Sequence, residues 1–137
     1  MSAVLLDTTV VSALHPKRRG SPIRSFYEPH MRDRTLALSF QTYAELWAWA
    51  EERRWGVAER ARLVTFLHAF VVLPFTFTLG KTWATVMTEA KAGGRRLEAG
   101  DAWIAASAVH YAIPLLTHDK DFVGLPVSGL RVVCYAG

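Results

Sequence analysis

The sequence holds one cysteine, Cys134, in 137 residues. A lone thiol cannot close an internal disulfide, and no histidine cluster accompanies it, so disulfide scaffolds and zinc sites are excluded. Within "RVVCYAG" it is expected to be a small buried hydrophobe in a terminal strand. No apolar stretch reaches spanning length without a polar or charged interruption. The first apolar run stops at Asp7 and lacks the basic start and long apolar centre of a signal peptide. No membrane association is expected, and the reading is of a soluble, cytoplasmic protein. Internal repeats, linkers and low-complexity tracts are also missing. What is present is a hydrophobic fraction of 51%, which argues against disorder. Residues 1–137 are expected to form one domain long enough to bury a core.

Acidic residues are the minority, twelve against sixteen Lys and Arg, for a formal net charge of +4. The excess is uneven. Lys17, Arg18, Arg19, Arg24, Arg32 and Arg34 crowd one stretch against only Glu28 and Asp33, and Lys91, Arg95 and Arg96 form a second cluster. Such patches suit a polyanion, with an ordinary solvated face as the alternative.

The apolar pattern alternates between strands and helices. Ala3–Leu6 reads as a strand, and Thr8–Leu14 is either a helix or a continuation of it, because its β-branched residues would also suit a strand. Ser21-Pro22 starts a helix as N-cap and N1, carrying Ile23, Phe26, Tyr27 and Met31. Leu36–Leu38 is a second short strand. One helix follows from about Gln41 to Arg54, and another from Val57 with Leu63, Val64, Leu67 and Phe70 on one face. Val71–Leu73 is a third strand, ended by Pro74. Leu79, Trp83, Val86, Met87 and Ala90 fall on one helical face, and Gly93-Gly94 stops that helix. Ala102–Tyr111 is apolar all round, as a central buried helix would be. "IPLLT" and "LRVVCY" close the chain as strands. This order predicts an α/β fold with a parallel sheet and helices on both faces. The five tryptophans are read mainly as core, with a few exposed at an interface.

Five acids stand out. Asp7 directly follows the first strand; it either caps the next helix or contributes to a site at the strand's carboxyl end. Glu45 shares a narrow polar helix face with Gln41 and Thr42 in "FQTYAELWAWA". Asp101 precedes the apolar "AWIAASAV", where it suits either a helix N-cap or a first-turn acid favoured by the helix dipole. Asp119 and Asp121 follow a strand in "LLTHDKDF", where turn or cap roles are available. Taken together, these acids can converge on one crevice of a parallel sheet. Clustered carboxylates repel unless protonated or neutralised, and an oxygen-only set selects Mg²⁺ or Mn²⁺. With basic patches nearby, a phosphate-bearing substrate and a metal-activated water follow.

"LLDTTVVSAL", "SFQTYAEL", "GDAWIAASAVHYAIPLLTHDKDF" and "GLRVV" occur in the order seen in the PIN-domain family, which the chain resembles across almost its whole length. Its length points to the VapC-like branch, the ribonuclease toxins of type II toxin–antitoxin pairs. The resemblance implies a three-layer α/β/α sandwich with a central parallel sheet, and Mg²⁺- or Mn²⁺-dependent cleavage of structured RNA, tRNA or rRNA. It implies catalytic and metal-site acids at Asp7, Glu45, Asp101 and Asp119, with Thr117, Asp121, Thr9 and Thr42 in supporting positions and Ser39 as a further hydroxyl. Thr9 departs from the family's frequent Asn or Ser; it keeps the hydroxyl and loses the amide. Thr9 also argues against a haloacid-dehalogenase-type phosphatase, which needs a second Asp there. Lys17, Arg18, Arg19, Arg95 and Arg96 become candidate RNA contacts. A homodimer and a VapB-like antitoxin are the implied partners. A DNA-directed metal-dependent nuclease and a non-catalytic nucleic-acid-binding or regulatory module are the alternatives.

Overall fold

β1 (Ala3–Leu6) lies at the centre of a five-stranded sheet in a computed structural model that describes residues 2–18 and 20–135. The strand order is β3-β2-β1-β4-β5, with β2 Thr35–Ser39, β3 Val71–Leu73, β4 Leu115–Leu116 and β5 Val132–Val133, and every pairing is parallel. Leu5 is in register with Ala37 on one side and Leu115 on the other. From β1 the chain winds outward through β2 and β3, then returns to the other flank of β1 for β4 and β5. The strand order therefore reverses between β1 and β4. In open α/β sheets that switch point, at the carboxyl ends, is where a crevice forms.

Side chains alternate across the sheet, and two cores result. Val4, Leu6, Leu38 and Leu116 point to one face, which is covered by α1 (Thr8–Leu14), α2 (Pro22–Met31), α3 (Phe40–Glu52) and α4 (Val57–Leu67). Leu5, Ala37 and Leu115 point to the other face, against α5 (Phe77–Ala92) and α6 (Ala99–His110). The expected three-layer α/β/α sandwich is the observed one. Burial of Ala102, Ala105, Ala106 and Ala108 lets α6 pack close to the sheet, as its all-round apolar sequence predicts.

Several local expectations are revised. Thr8–Leu14 is a helix, because Asp7 turns the chain and its side chain caps Thr8 N. Ser21 sits at the N-cap of α2 but makes no side-chain capping bond, leaving Pro22 as the start signal. On α4, Leu63 and Leu67 are buried one turn apart, whereas Val64, a step round the helix, is 43% exposed and Phe70 lies beyond the helix end. The last strand is only Val132–Val133. Cys134 falls just after it and is half-buried, not part of the sealed core. All five tryptophans are half-buried. Among the described residues no helix is long and apolar enough to cross a membrane.

Candidate active site

The carboxyl ends of β1 and β4 lie side by side, Asp7 N donating to Leu116 O at 2.9 Å. This pairing brings "LDTT" and "LTHDKD" together across more than a hundred residues of chain. Asp7 is 3% exposed and held from three sides. Its Oδ1 accepts from Thr8 N at 2.7 Å, and its Oδ2 accepts from the hydroxyls of Thr117 at 2.6 Å and Thr9 at 3.0 Å. Burial pushes its carboxyl above the ordinary range, and these hydrogen bonds oppose the shift. Asp7 caps α1 and stands where the carboxyl ends of β1 and β4 meet. The same carboxylate starts α1 and anchors the crevice.

Each supporting hydroxyl does two jobs. Thr117 Oγ1 accepts from Asp119 N at 3.0 Å while donating to Asp7, and Thr9 Oγ1 accepts from His118 N at 2.9 Å while donating to the same oxygen. The loop after β4 is therefore pinned to the start of α1. Thr9 needs only its hydroxyl for this.

Glu45 enters from α3, whose cap is Ser39 accepting from Gln41 N. Gln41 Nε2 donates to Glu45 Oε1 at 3.0 Å, the i to i+4 contact expected of the polar strip. Thr8 Oγ1 donates to Glu45 Oε2 at 2.8 Å and lies 3.1 Å from Thr42 Oγ1. The backbone of α6 approaches Gln41 so closely that a Cβ on Gly100 would stand 2.9 Å from Gln41 Nε2. Thr8 had no part in the sequence reading of the site. Its signal was the doubled threonine after Asp7, of which only the second was weighed as a site residue.

Asp101 sits in the first turn of α6, two residues past the helix start, and not at the N-cap, which is Glu98. One carboxylate oxygen from each of Asp101, Asp119 and Asp121 lies within 4.8 Å of the others. Asp119 Oδ1 also accepts from Asp121 N at 2.9 Å, which shapes the short turn Lys120–Phe122. Burial pushes the Asp101 carboxyl up to about 6, and the charges of Asp7, Asp119, Glu45 and Asp121 push the same way. None of the ion pairs among the described residues involves these acids. The negative charge is uncompensated by protein, and its donors are all oxygen. That is the donor set of a hard divalent cation. Asp7 and Glu45 flank the close trio through their charge on Asp101.

The basic candidates scatter. Lys17 Nζ pairs with Glu59 at 3.3 Å and stands 5.1 Å above the Trp55 ring, beside a cavity of about 240 Å³ that Arg18 also lines. Arg19 lies outside the described residues. Arg95 Nη2 donates to Asp121 O at 2.9 Å and Nη1 to Val123 O at 3.1 Å, tying it to the acidic turn. Arg96, Arg95 and Lys91 line a groove of about 770 Å³ that runs from the end of α5 to Ala99 at the start of α6.

The PIN domain family model matches residues 4–126, from β1 through the acidic turn. The chain belongs to the PIN-domain family. Among relatives of this PIN domain, VapC ribonuclease Y4jK of Sinorhizobium fredii is 30% identical over 136 residues, 95% of each chain. Ribonuclease VapC4 of Mycobacterium tuberculosis is 34% identical over 71 residues, 52% of this chain and 55% of the relative, a match spanning about half of that protein's length. The crystal structure of VapBC-5 from M. tuberculosis, a member of the VapBC family of toxin–antitoxin systems, superposes with a TM-score of 0.70 at 27% identity. It covers 98% of this chain and 99% of that one.

Proposed function

We propose that this PIN domain is a divalent-metal-dependent endoribonuclease of the VapC kind, the toxin of a toxin–antitoxin pair. The observation that carries the reading is the oxygen trio of Asp101, Asp119 and Asp121 at the sheet's switch point, backed by buried Asp7 and by Glu45. Relatives named as VapC ribonucleases and the resemblance to VapBC-5 support it.

Asp101, Asp119 and Asp121 would hold Mg²⁺ or Mn²⁺, with Asp7 and Glu45 supplying further charge. A cation bound there would lower the pKa of a coordinated water and place positive charge against the scissile phosphate. Asp101 gives up its proton as the site is neutralised, so it is a ligand only in its charged form. Thr117 and Thr9 favour the charged form of Asp7 by donating to it, and Gln41 and Thr8 orient Glu45. Lys91, Arg95 and Arg96 line a groove fit for the RNA backbone; Arg95 keeps three N–H donors beyond its two carbonyl bonds. Lys17 and Arg18 contribute to a second basic face. A VapB-like antitoxin and a second copy of the chain are the partners this reading brings with it.

The test incubates the purified chain with structured RNA and Mg²⁺ or Mn²⁺, then adds EDTA. Cleavage should stop on chelation. Asp7→Asn, Asp101→Asn, Asp119→Asn and Glu45→Gln should remain folded and lose on the order of 10²-fold or more in rate. Metal-independent cleavage, or full activity in both Asp7→Asn and Asp101→Asn, overturns the mechanism. Coexpression with the product of a small adjacent reading frame should relieve growth arrest, and toxicity that no neighbour relieves overturns the antitoxin pairing.

A further inference from the structure

Phe26 and Tyr135 are 47% and 46% exposed, yet neither ring is loose. Phe26 stacks with His118, ring centroids 6.4 Å apart and planes within 6°, and with Tyr135 at 6.3 Å and 22°. His118 stands in the chain between Thr117 and Asp119, and its backbone is fixed by the bond to Thr9. Behind these rings Tyr27 is fully buried. Its hydroxyl donates to Thr117 O at 2.6 Å, accepts from Tyr135 N at 2.8 Å and lies 2.9 Å from His118 Nδ1. Its ring meets those of His118 and Tyr135 edge-on, at 5.7 Å and 5.4 Å. One buried phenol thus ties the His118 and Tyr135 rings to the residue that holds Asp7. His30 extends the rim, its Nε2 lying 2.8 Å from Tyr135 Oη.

Leaving aromatic faces in water forgoes the gain from burying them, and the core one residue away accepts Tyr27. Near-parallel exposed rings, fixed beside an acidic phosphate-processing site, have the chemistry that stacks an unpaired base. Sequence-tolerant recognition of single-stranded RNA uses such faces. We propose that Phe26 and Tyr135, backed by His118, form a stacking platform for one unpaired nucleobase of the RNA, beside the phosphodiester attacked at the acidic cluster. The proposal rests on the ribonuclease reading and adds a subsite to it. An apolar peptide is the weaker occupant, because the patch is rimmed by polar groups and adjoins a phosphate site.

The experiment compares the parent chain, Phe26→Ala/Tyr135→Ala and Phe26→Leu on one structured RNA and on copies made abasic at each position flanking the cut. The double variant should raise KM about tenfold with kcat within about twofold, and Phe26→Leu should share much of that loss because it keeps apolar area without a π face. One abasic position should penalise the parent by a similar factor and cost the double variant nothing further. Mn²⁺ affinity by calorimetry should be the same in all three proteins, since no ring touches the carboxylates. An unchanged KM in the double variant, or an abasic penalty that survives it in full, overturns the platform while leaving the nuclease intact. A parent that cleaves no RNA with either metal overturns both.

Discussion

Asp101 holds a proton in the folded protein that it releases in the unfolded chain between its ordinary value of 3.8 and about 6. Raising the pH through that window therefore destabilises the metal-free fold, and above about 6 the full penalty is present. Buried Asp7, also shifted upward, adds in the same direction. Asp101→Asn should remove most of this dependence. In urea titrations from pH 4 to 7, parent and variant should diverge as the pH rises, with the variant the more stable above pH 6. Mn²⁺ should stabilise the parent at neutral pH and leave the variant unmoved. Equal midpoints at every pH would show that the carboxylate cluster carries no strain. Thr117→Val makes the opposite trade. It keeps the shape but removes a donor to Asp7 and an acceptor from Asp119 N, both in a buried place. A loss of about 1–3 kcal/mol of stability is expected, together with weaker Mn²⁺ binding, and a silent variant would remove Thr117 from the support of the site.

Among the elements, the turn Lys120–Phe122 is the one whose position decides the trio. Buried Phe122 seats its end in the core, and Arg95, in the loop after α5, clamps it through the carbonyls of Asp121 and Val123. Arg95→Ala should weaken Mn²⁺ binding by several-fold with the circular dichroism unchanged. Lys91→Ala and Arg96→Ala share the groove but not the clamp. They should leave Mn²⁺ affinity alone and flatten the salt dependence of RNA binding, by about one unit of slope for each phosphate no longer neutralised. An unchanged slope in these two would return them to ordinary solvated surface. The contrast would separate the residue that shapes the acidic turn from those that only line the groove.

For the whole molecule, the apolar surface not consumed by the two cores is informative. Phe77 is 86% exposed and Phe75 48%, and their rings lie 6.1 Å apart. Phe75 in turn contacts Phe40 and Trp103, and Trp103 stacks on Trp83. An exposed aromatic cluster continuous with the core is the composition of an association surface. Light scattering should find a dimer at micromolar concentration, and Phe77→Ser should shift it toward monomer without unfolding it. A parent that stays monomeric at high concentration would count against self-association through any face.

The strands, the amphipathic helices and the alternation between them were legible in the sequence, because hydrophobic period and Gly, Pro and Asp punctuation are local properties. The acids were visible as candidates, Asp7, Glu45 and Asp101 beside apolar runs and Asp119 and Asp121 just after a strand. Which of them approach within 4.8 Å was not legible, because that depends on β1 pairing with β4 and on the short turn Arg95 clamps. Thr8–Leu14 was ambiguous for the same reason: its residues suit strand and helix alike, and the Asp7 cap beside β4 decided it. Tyr27 gave no local sign beyond an apolar helix face, yet its hydroxyl joins α2 to the loop after β4 across ninety residues of sequence. Local pattern selects the elements, whereas the strand order sets which of their ends meet, and chemistry here belongs to the ends.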